Sequence, residues 1–576
     1  MLVVALMLGL TSGVAGAAQP TELHVSGGVF RDDQGREVVL RGFNVSGEAK
    51  LAENQGLPFA NVADARLSAS AMRRLTGANA VRFLVTWAWI EPRQGQIDYG
   101  YLAKVAEQIT AFTGQGIRVY LDFHQDLYSR YLFNKDSWYT GDGAPAWLVQ
   151  AGNYPKESCG LCFHWGQNMK SNKAVTDAVY DFWHNRQIGA VRVQDAFLAQ
   201  AGETMRYLRT TLSPDAFSML LGVDPLNEPY AGRYDTGQNS LAWERDLLWP
   251  FYQRFRQAMD DSGWTAKAAF VEPLLFWNNN VSFFAEPGGL TQVPALGDRY
   301  VFNSHFYDGA AQSGILKPGK AVDGEYAQDF AKIRDRASAL GSPAIVSEFG
   351  HPVGGNTSDK LPEILKAMYQ SLDSRLSGAD WWTHAAASGP VLSGSQWHWD
   401  IYNGRHHELM NDNPNKVKTA GDAMNDEQFS AVRLDDAGNP VLTVDSRTVD
   451  RVYPRAVAGT TVAFTYEDTV TGTWNKIPAG MPAVRALVGA KQFGVLAWRS
   501  NSTDVPTEIH LPASFSPASV VVDADTSAGT PTDGTLDLRA TTSTLHFALI
   551  TTGATTPEAR AAAQAELVAW TRTLEP

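Results

Sequence analysis

Between about residues 38 and 400, short apolar runs of β-type residues alternate with stretches of helical period, and this recurrence constrains the fold more than any other feature. The runs cover 38–45, 80–85, 117–123, 219–226, 268–271, 300–304 and 344–347, with 396–397 as an eighth. Between them, Leu67, Ala71, Met72 and Leu75 share one helical face, and 101–112 and 329–340 behave likewise. Eight near-continuous runs, each followed by helix, predict a TIM (β/α)8 barrel rather than an open sheet. Beyond about residue 415 the rhythm changes. The segments 460–466, 493–498, 507–511, 519–522, 535–538 and 544–550 are short, alternating and separated by Gly, Pro, Ser and Asp, which predicts a C-terminal antiparallel β-sandwich. At 557–573, Thr556 can cap a helix with Pro557 in its first turn, and Leu567 and Trp570 should pack onto the protein. The expected plan is a leader at 1–17, a barrel at 18–410, a sandwich at 411–553 and a helical tail at 554–576.

In a TIM barrel the chemistry sits at the C-terminal ends of the strands. Two runs there finish in a glutamate. The fourth ends Asp224-Pro225-Leu226-Asn227-Glu228-Pro229 and the seventh ends Ser347-Glu348-Phe349-Gly350. A carboxylate at the end of an apolar strand is costly to bury unless it is paired or has work to do. Two carboxyl groups facing each other across a bond are what glycoside hydrolysis needs, one protonated and one ionised. A buried salt-bridged pair is the competing explanation.

Asn227-Glu228-Pro229 with Ser347-Glu348-Phe349-Gly350 resembles the paired signatures of glycoside hydrolase family 5. The resemblance makes Glu228 the acid/base and Glu348 the nucleophile of a retaining β-glycosidase. It extends to Arg82 at the end of the second run, His124 of the third, His305 and Tyr307 of the sixth and Trp397 of the eighth. Arg82 would keep Glu348 ionised, Asn227 would bond the sugar hydroxyl beside the reacting carbon, Tyr307 would bond the nucleophile and Trp397 would offer a flat face to the sugar. Singly, His124 or His305 is more often a satisfied core histidine than a ligand; together at successive strand ends they favour a site. Trp399 stands close enough to Trp397 to be the stacking residue instead.

Within that family the chain is similar to the endoglycoceramidases. The matching segments are Arg41-Gly42-Phe43-Asn44-Val45-Ser46-Gly47 with Lys50, the Asp122-Phe123-His124-Gln125-Asp126-Leu127-Tyr128-Ser129-Arg130-Tyr131 stretch, Asp224 to Tyr230, Ser304-His305-Phe306-Tyr307-Asp308, and Arg451-Val452-Tyr453-Pro454-Arg455-Ala456-Val457. This resemblance implies a glycosphingolipid as substrate, cut between glycan and ceramide, with Lys50, Asp126 and Trp165 bonding the first sugars. It implies no metal or organic cofactor, since two carboxylates suffice. Phe59, Leu132, Phe133, Trp138, Tyr139 and Trp147 lie in expected loops at the face where the site opens. There they would form an apolar groove for the lipid or a rim that touches micelles and membranes transiently, or else fold inward as local core. Rival readings are another family 5 enzyme, such as a galactosylceramide-series endoglycosidase, a steryl glucosidase or an endoglucanase, and a non-catalytic carbohydrate- or lipid-binding protein. The presence of both glutamates argues against the last.

An apolar run from Leu2 to Leu10 followed by Ala15-Gly16-Ala17 reads as a signal peptide with an A-x-A-like cleavage site, although no basic residue precedes the run. A secreted protein is therefore expected, as a monomer. The two cysteines, Cys159 and Cys162, are spaced C-x-x-C. Redox, zinc, free-thiol and disulfide readings compete, and export favours a local disulfide. A net charge of −13 without a basic stripe argues against nucleic acid as a partner. The 17 Trp, 19 Tyr and 26 Phe supply faces for sugars and lipids, though core packing accounts for most of them.

Overall fold

The structure, a computed structural model, describes residues 22–156, 162, 165–281, 284–312, 321, 324–353, 361–373, 391–422, 428–467, 492–572 and 574. The leader expected at 1–17 lies outside them. Eight parallel strands close into a barrel: β1 (Arg41–Val45), β2 (Ala80–Val85), β3 (Arg118–Phe123), β4 (Leu220–Asp224), β5 (Ala268–Val271), β6 (Tyr300–Phe306), β7 (Ala344–Phe349) and β8 (Ser393–Gln396), which pairs back with β1. Helices ring the outside, among them Val62–Thr76, Tyr99–Thr113 and Ala327–Ala339, where the sequence placed them. The first two start at side-chain caps, Asn61 accepting from the Asp64 amide and Asp98 from the Tyr101 amide.

Two-residue alternation sorts each strand into an inward and an outward set. On β2, Val81, Phe83 and Val85 join the apolar core between strands and helices, while Ala80, Arg82 and Leu84 fall outside that core. The barrel is consequently layered. Ala80, Tyr120, Leu221, Phe270, Val301 and Ile345 make an apolar floor, with Tyr120 stacked on Phe270 at 4.7 Å. Above them lies a polar layer that includes Asn44, Arg82, Asp122, Asp224 and Asn303. β7 carries an extra residue relative to β6, so the register jumps from Ser304–Val346 to His305–Glu348. This bulge turns both Ser347 and Glu348 toward the site, because an inserted residue re-aims the side chain after it.

The second domain is antiparallel, as expected, but its boundary differs from the one read at 410. The run 38–45 is two strands: Glu37–Val38 belongs to the second domain and Arg41–Val45 to the barrel. With the hairpin His24–Ser26 and Val29–Arg31, the first of these joins Tyr453–Val457, Thr507–His510, Thr535–Ala540 and Thr526–Ala528 in a seven-stranded sheet. Phe30 of this hairpin stacks against Phe270 of the barrel floor. Conversely Ala431, Val432 and Val449, placed by sequence in the sandwich, pack into the barrel's core. The break was invisible because Val39 and Leu40, between the two strands, are apolar and buried. A four-stranded sheet, Gly459–Glu467, Phe493–Ser500, Leu545–Thr552 and Ala518–Val522, faces the first across a core that includes Trp498, Tyr466, Leu536 and Ile550. Helix Pro557–Arg572 covers its outer face through Ala563 and Leu567, with Trp570 packed beside them and Thr556 capping the Ala559 amide.

Candidate active site

Arg82, fully buried, organises the polar layer. Its Nη1 donates to Glu348 Oε1 at 2.5 Å and to Asn44 Oδ1 at 3.2 Å; its Nη2 donates to Asp224 Oδ2 at 2.7 Å and Asn227 Oδ1 at 2.9 Å. Asp122 and Glu272 lie 3.1 and 3.4 Å from the same nitrogen. A buried guanidinium survives only when so paired. The nucleophile candidate is held from a second side by the Tyr307 hydroxyl, which donates to Glu348 Oε2 at 2.8 Å. Burial alone would raise the pKa of Glu348, but the opposing charges of His305, Arg82, His124 and Lys50 outweigh it, and the carboxyl is held below its usual value.

Glu228 follows Asn227 with φ of +45°, a left-handed backbone unusual for a residue with a Cβ. The turn is clamped from β3: Gln125 Nε2 donates to the Asn227 carbonyl at 2.8 Å, and Asn227 Nδ2 to the Gln125 carbonyl at 3.0 Å. Burial pushes the pKa of Glu228 up to about 7, in spite of the bond between His305 Nδ1 and Glu228 Oε1 at 2.9 Å. An oxygen of Glu228, an oxygen of Glu348 and a ring nitrogen of His305 all lie within 4.8 Å of one another. So close an approach suits the roughly 5–5.5 Å between carboxyl groups of retaining enzymes.

A second polar group adjoins the pair. Lys50 Nζ binds Asp126 Oδ2 at 2.6 Å, and His124 bridges Asp122 and Asp126 at 2.7 and 3.2 Å. Asp126 would be raised by burial but is brought down to about 2 by Lys50 and His124. Trp397 lies over this group, its ring parallel to His124 at 5.7 Å and 4.2 Å from Lys50 Nζ. Trp399 is not the alternative: it is buried against Phe43 and donates its indole N–H to Ser68.

The structure thus gathers Lys50, Arg82, His124, Asp126, Asn227, Glu228, His305, Tyr307, Glu348 and Trp397 at one end of the barrel. The bonds just described do not reach Trp165, which is half-buried against the barrel core and accepts from Asn168 Nδ2. Cys162 is disulfide-bonded, and Cys159 lies outside the described residues. Sequence reasoning missed Glu272, which takes part through Arg82 and through His305 Nε2 at 3.2 Å. Its signal was present, since β5 also ends in a glutamate followed by proline, Glu272-Pro273. Of the loop residues, Phe59, Leu132 and Phe133 are buried, and Trp147 packs edge-on against Trp87 with its indole N–H donating to the Glu91 carbonyl. Trp138, in contrast, is 78% exposed.

No family model matches the chain. Endoglycoceramidase I of Rhodococcus hoagii is 27% identical over 399 residues, 65% of this chain and 70% of that protein. A glucosylceramidase of Aspergillus fumigatus is 34% identical over 152 residues, yet the match spans only 19% of the fungal protein and 23% of this chain. Endo-glycoceramidase II from Rhodococcus sp. superposes with a TM-score of 0.63 at 22% identity, over 91% of this chain and 99% of that one. Its structures include a lactosyl-enzyme intermediate and a ganglioside GM3 complex. Sterylglucosidase 1 of Cryptococcus neoformans superposes with a TM-score of 0.67 at 15% identity, over 93% and 98%. With its closed barrel and paired glutamates, the chain shares the TIM-barrel fold of these enzymes and is similar in sequence to an endoglycoceramidase.

Proposed function

We propose that the protein is a retaining endo-β-glycosidase that cuts the bond between the oligosaccharide and the ceramide of glycosphingolipids. The observation that carries the chemistry is the contrast between two glutamates within 4.8 Å, one raised to about 7 by burial and the other held low by cations. Glu348 attacks the anomeric carbon as the bond to the lipid oxygen breaks, and Glu228 gives that oxygen its proton. A water then loses a proton to Glu228 and displaces Glu348, restoring both residues and the original anomeric configuration. The choice of aglycone rests on the endoglycoceramidases to which the chain is similar.

A rim beside the site supports contact with a lipid surface. Tyr131 and Trp138 in the loops after β3, and Leu409 and Val417 in the hairpin after β8, are exposed. A cavity of about 280 Å³ between these two segments is lined by Tyr131, Phe133, Leu409 and Met410 among others. Clustered exposed apolar side chains are a mark of an interaction face. Export as a monomer fits a substrate carried by micelles or outer membranes.

A second reading, a glucosidase acting on single-glucose lipids, is favoured by the glucosylceramidase and sterylglucosidase similarities. A panel of glycosphingolipids, glucosylceramide, steryl glucoside and cellulose, with both product halves identified and the first-formed anomer read by proton NMR, separates the two. Intact oligosaccharide of retained configuration with intact ceramide is expected. Faster release of glucose from steryl glucoside, or inverted product, would overturn the proposal.

A further inference from the structure

Behind Lys50 lies a second cluster of acids that the proposed reaction does not use. The 3-10 turn Gly47–Lys50 carries Glu48, and the segment after β8 carries Asp400 and His406. One oxygen of Glu48, one of Asp400 and one ring nitrogen of His406 lie within 4.8 Å of one another, all in buried residues. His406 Nε2 is 2.8 Å from Asp400 Oδ2, and its Nδ1 is 3.1 Å from Glu53 Oε2. Neither oxygen of the fully buried Glu48 accepts from an N–H or hydroxyl donor, and its carboxyl instead faces that of Asp400. Neither ring nitrogen of buried His398, next to this group, has one either. Backbone closes tightly over the site. A Cβ on Gly421 would stand 2.7 Å from Asp400 Oδ2 and 3.1 Å from the Glu48 nitrogen, so only glycine leaves that carboxylate its place.

With all three acids ionised, the negative charge here exceeds the positive charge beside it. Among the described residues no Lys or Arg forms an ion pair with Glu48, Asp400 or Glu53, so three carboxylates share the His406 ring. From this geometry we infer a divalent metal site in which Glu48, Asp400 and His406 hold a transition-metal ion of the zinc or manganese kind. One imidazole with two carboxylates is a donor set that suits such ions. Ligand bonds of about 2.0–2.2 Å place donor atoms at most about 4.4 Å apart, so the present arrangement closes on an ion with small shifts. Glu53 on the far nitrogen of His406 is the outer carboxylate that fixes a metal-bound imidazole. The ion would brace the turn that presents Lys50 and stands apart from the two catalytic glutamates.

The test is metal analysis of the full chain by inductively coupled plasma mass spectrometry, after expression in medium containing zinc and manganese and dialysis against metal-free buffer. About one equivalent of either ion per chain is expected, with a melting temperature that falls on extraction by a strong chelator and returns with zinc or manganese chloride. Glu48→Gln and Asp400→Asn should each carry less than about a tenth of the wild-type content, because each removes one ligand charge. Wild-type protein with less than about a tenth of an equivalent and a melting temperature indifferent to chelator would overturn the site and leave a proton on Glu48. So would a folded Glu48→Gln that keeps its ion. Should a variant not fold, the wild-type content and its chelator response still decide. These readouts involve no substrate, so they stand or fall separately from the glycosidase proposal.

Discussion

Glu228 must be protonated and Glu348 ionised when the bond breaks, and the surroundings of each fix the pH at which that holds. Burial raises Glu228 to about 7, so activity should be lost as pH rises through about 7 and the acid gives up its proton. Glu348 is held below the usual glutamate value by His305 and Arg82, so the acid limb should lie below the ordinary carboxylate range, where the nucleophile becomes protonated. A kcat/KM profile on a soluble aryl glycoside checks both limbs; Glu228→Gln should remove the alkaline one and cost roughly 10²- to 10⁴-fold where the leaving group needs a proton. An alkaline limb surviving in that variant would reassign the acid. At this scale the two glutamates were legible because a carboxylate closing an apolar strand is conspicuous. Glu272 obeys the same rule and was passed over; it meets Arg82 and His305 Nε2, the ring nitrogen opposite the one that meets Glu228. Lys50 and Asp126 carry no local pattern of their own; their ion pair joins loops from β1 and β3, and sequence reached them through family resemblance alone.

The strands were read well because both faces of a parallel barrel strand are buried, which leaves an unbroken apolar signature. The loops were not, since an aromatic residue in a loop reads the same whether it points in or out. The loops after β3 turn Phe133 inward, and the hairpin Glu408–Leu409 with Val417–Lys418 is pinned to them by Asn411 donating to the Tyr139 carbonyl, Asn413 donating to the Lys135 carbonyl and the Arg130–Glu408 ion pair. Asp at Phe133 would therefore test folding, whereas Asp at exposed Trp138 tests docking. Trp138→Asp should lower kcat/KM on a ceramide-linked glycan in micelles by roughly tenfold, equivalent to about 1.4 kcal/mol, while changing cleavage of a soluble aryl glycoside by less than about twofold. Equal losses on the two substrates would remove the rim from lipid recognition.

Across the whole molecule the two domains are joined by buried charge. Asp373 lies between Arg41 at 2.7 Å and Arg451 at 2.6 Å, and Lys366 meets Glu467 at 2.8 Å, with all of these side chains buried. Removing one partner strands the other in a low-dielectric setting, so Asp373→Ala should destabilise by about 3–5 kcal/mol, read as a fall in denaturant midpoint. A midpoint unchanged from wild type would show that solvent reaches the two arginines. The sequential plan of barrel and then sandwich holds except for the N-terminal hairpin, which lies against the barrel floor while its sheet continues through Tyr453–Val457, where Ala456 pairs with Val38. That pairing sets an order of events in synthesis. The hairpin emerges first, yet its neighbours in the sheet arrive hundreds of residues later, and such non-local pairing is slow to form. Until then the barrel has an unsealed lower end, with Phe30 and Val38 lacking part of their cover. A chain cut after the barrel would lack the Tyr453–Val457 partner of Val38 and leave that end open to proteases, so it should be digested faster than a chain that carries those strands.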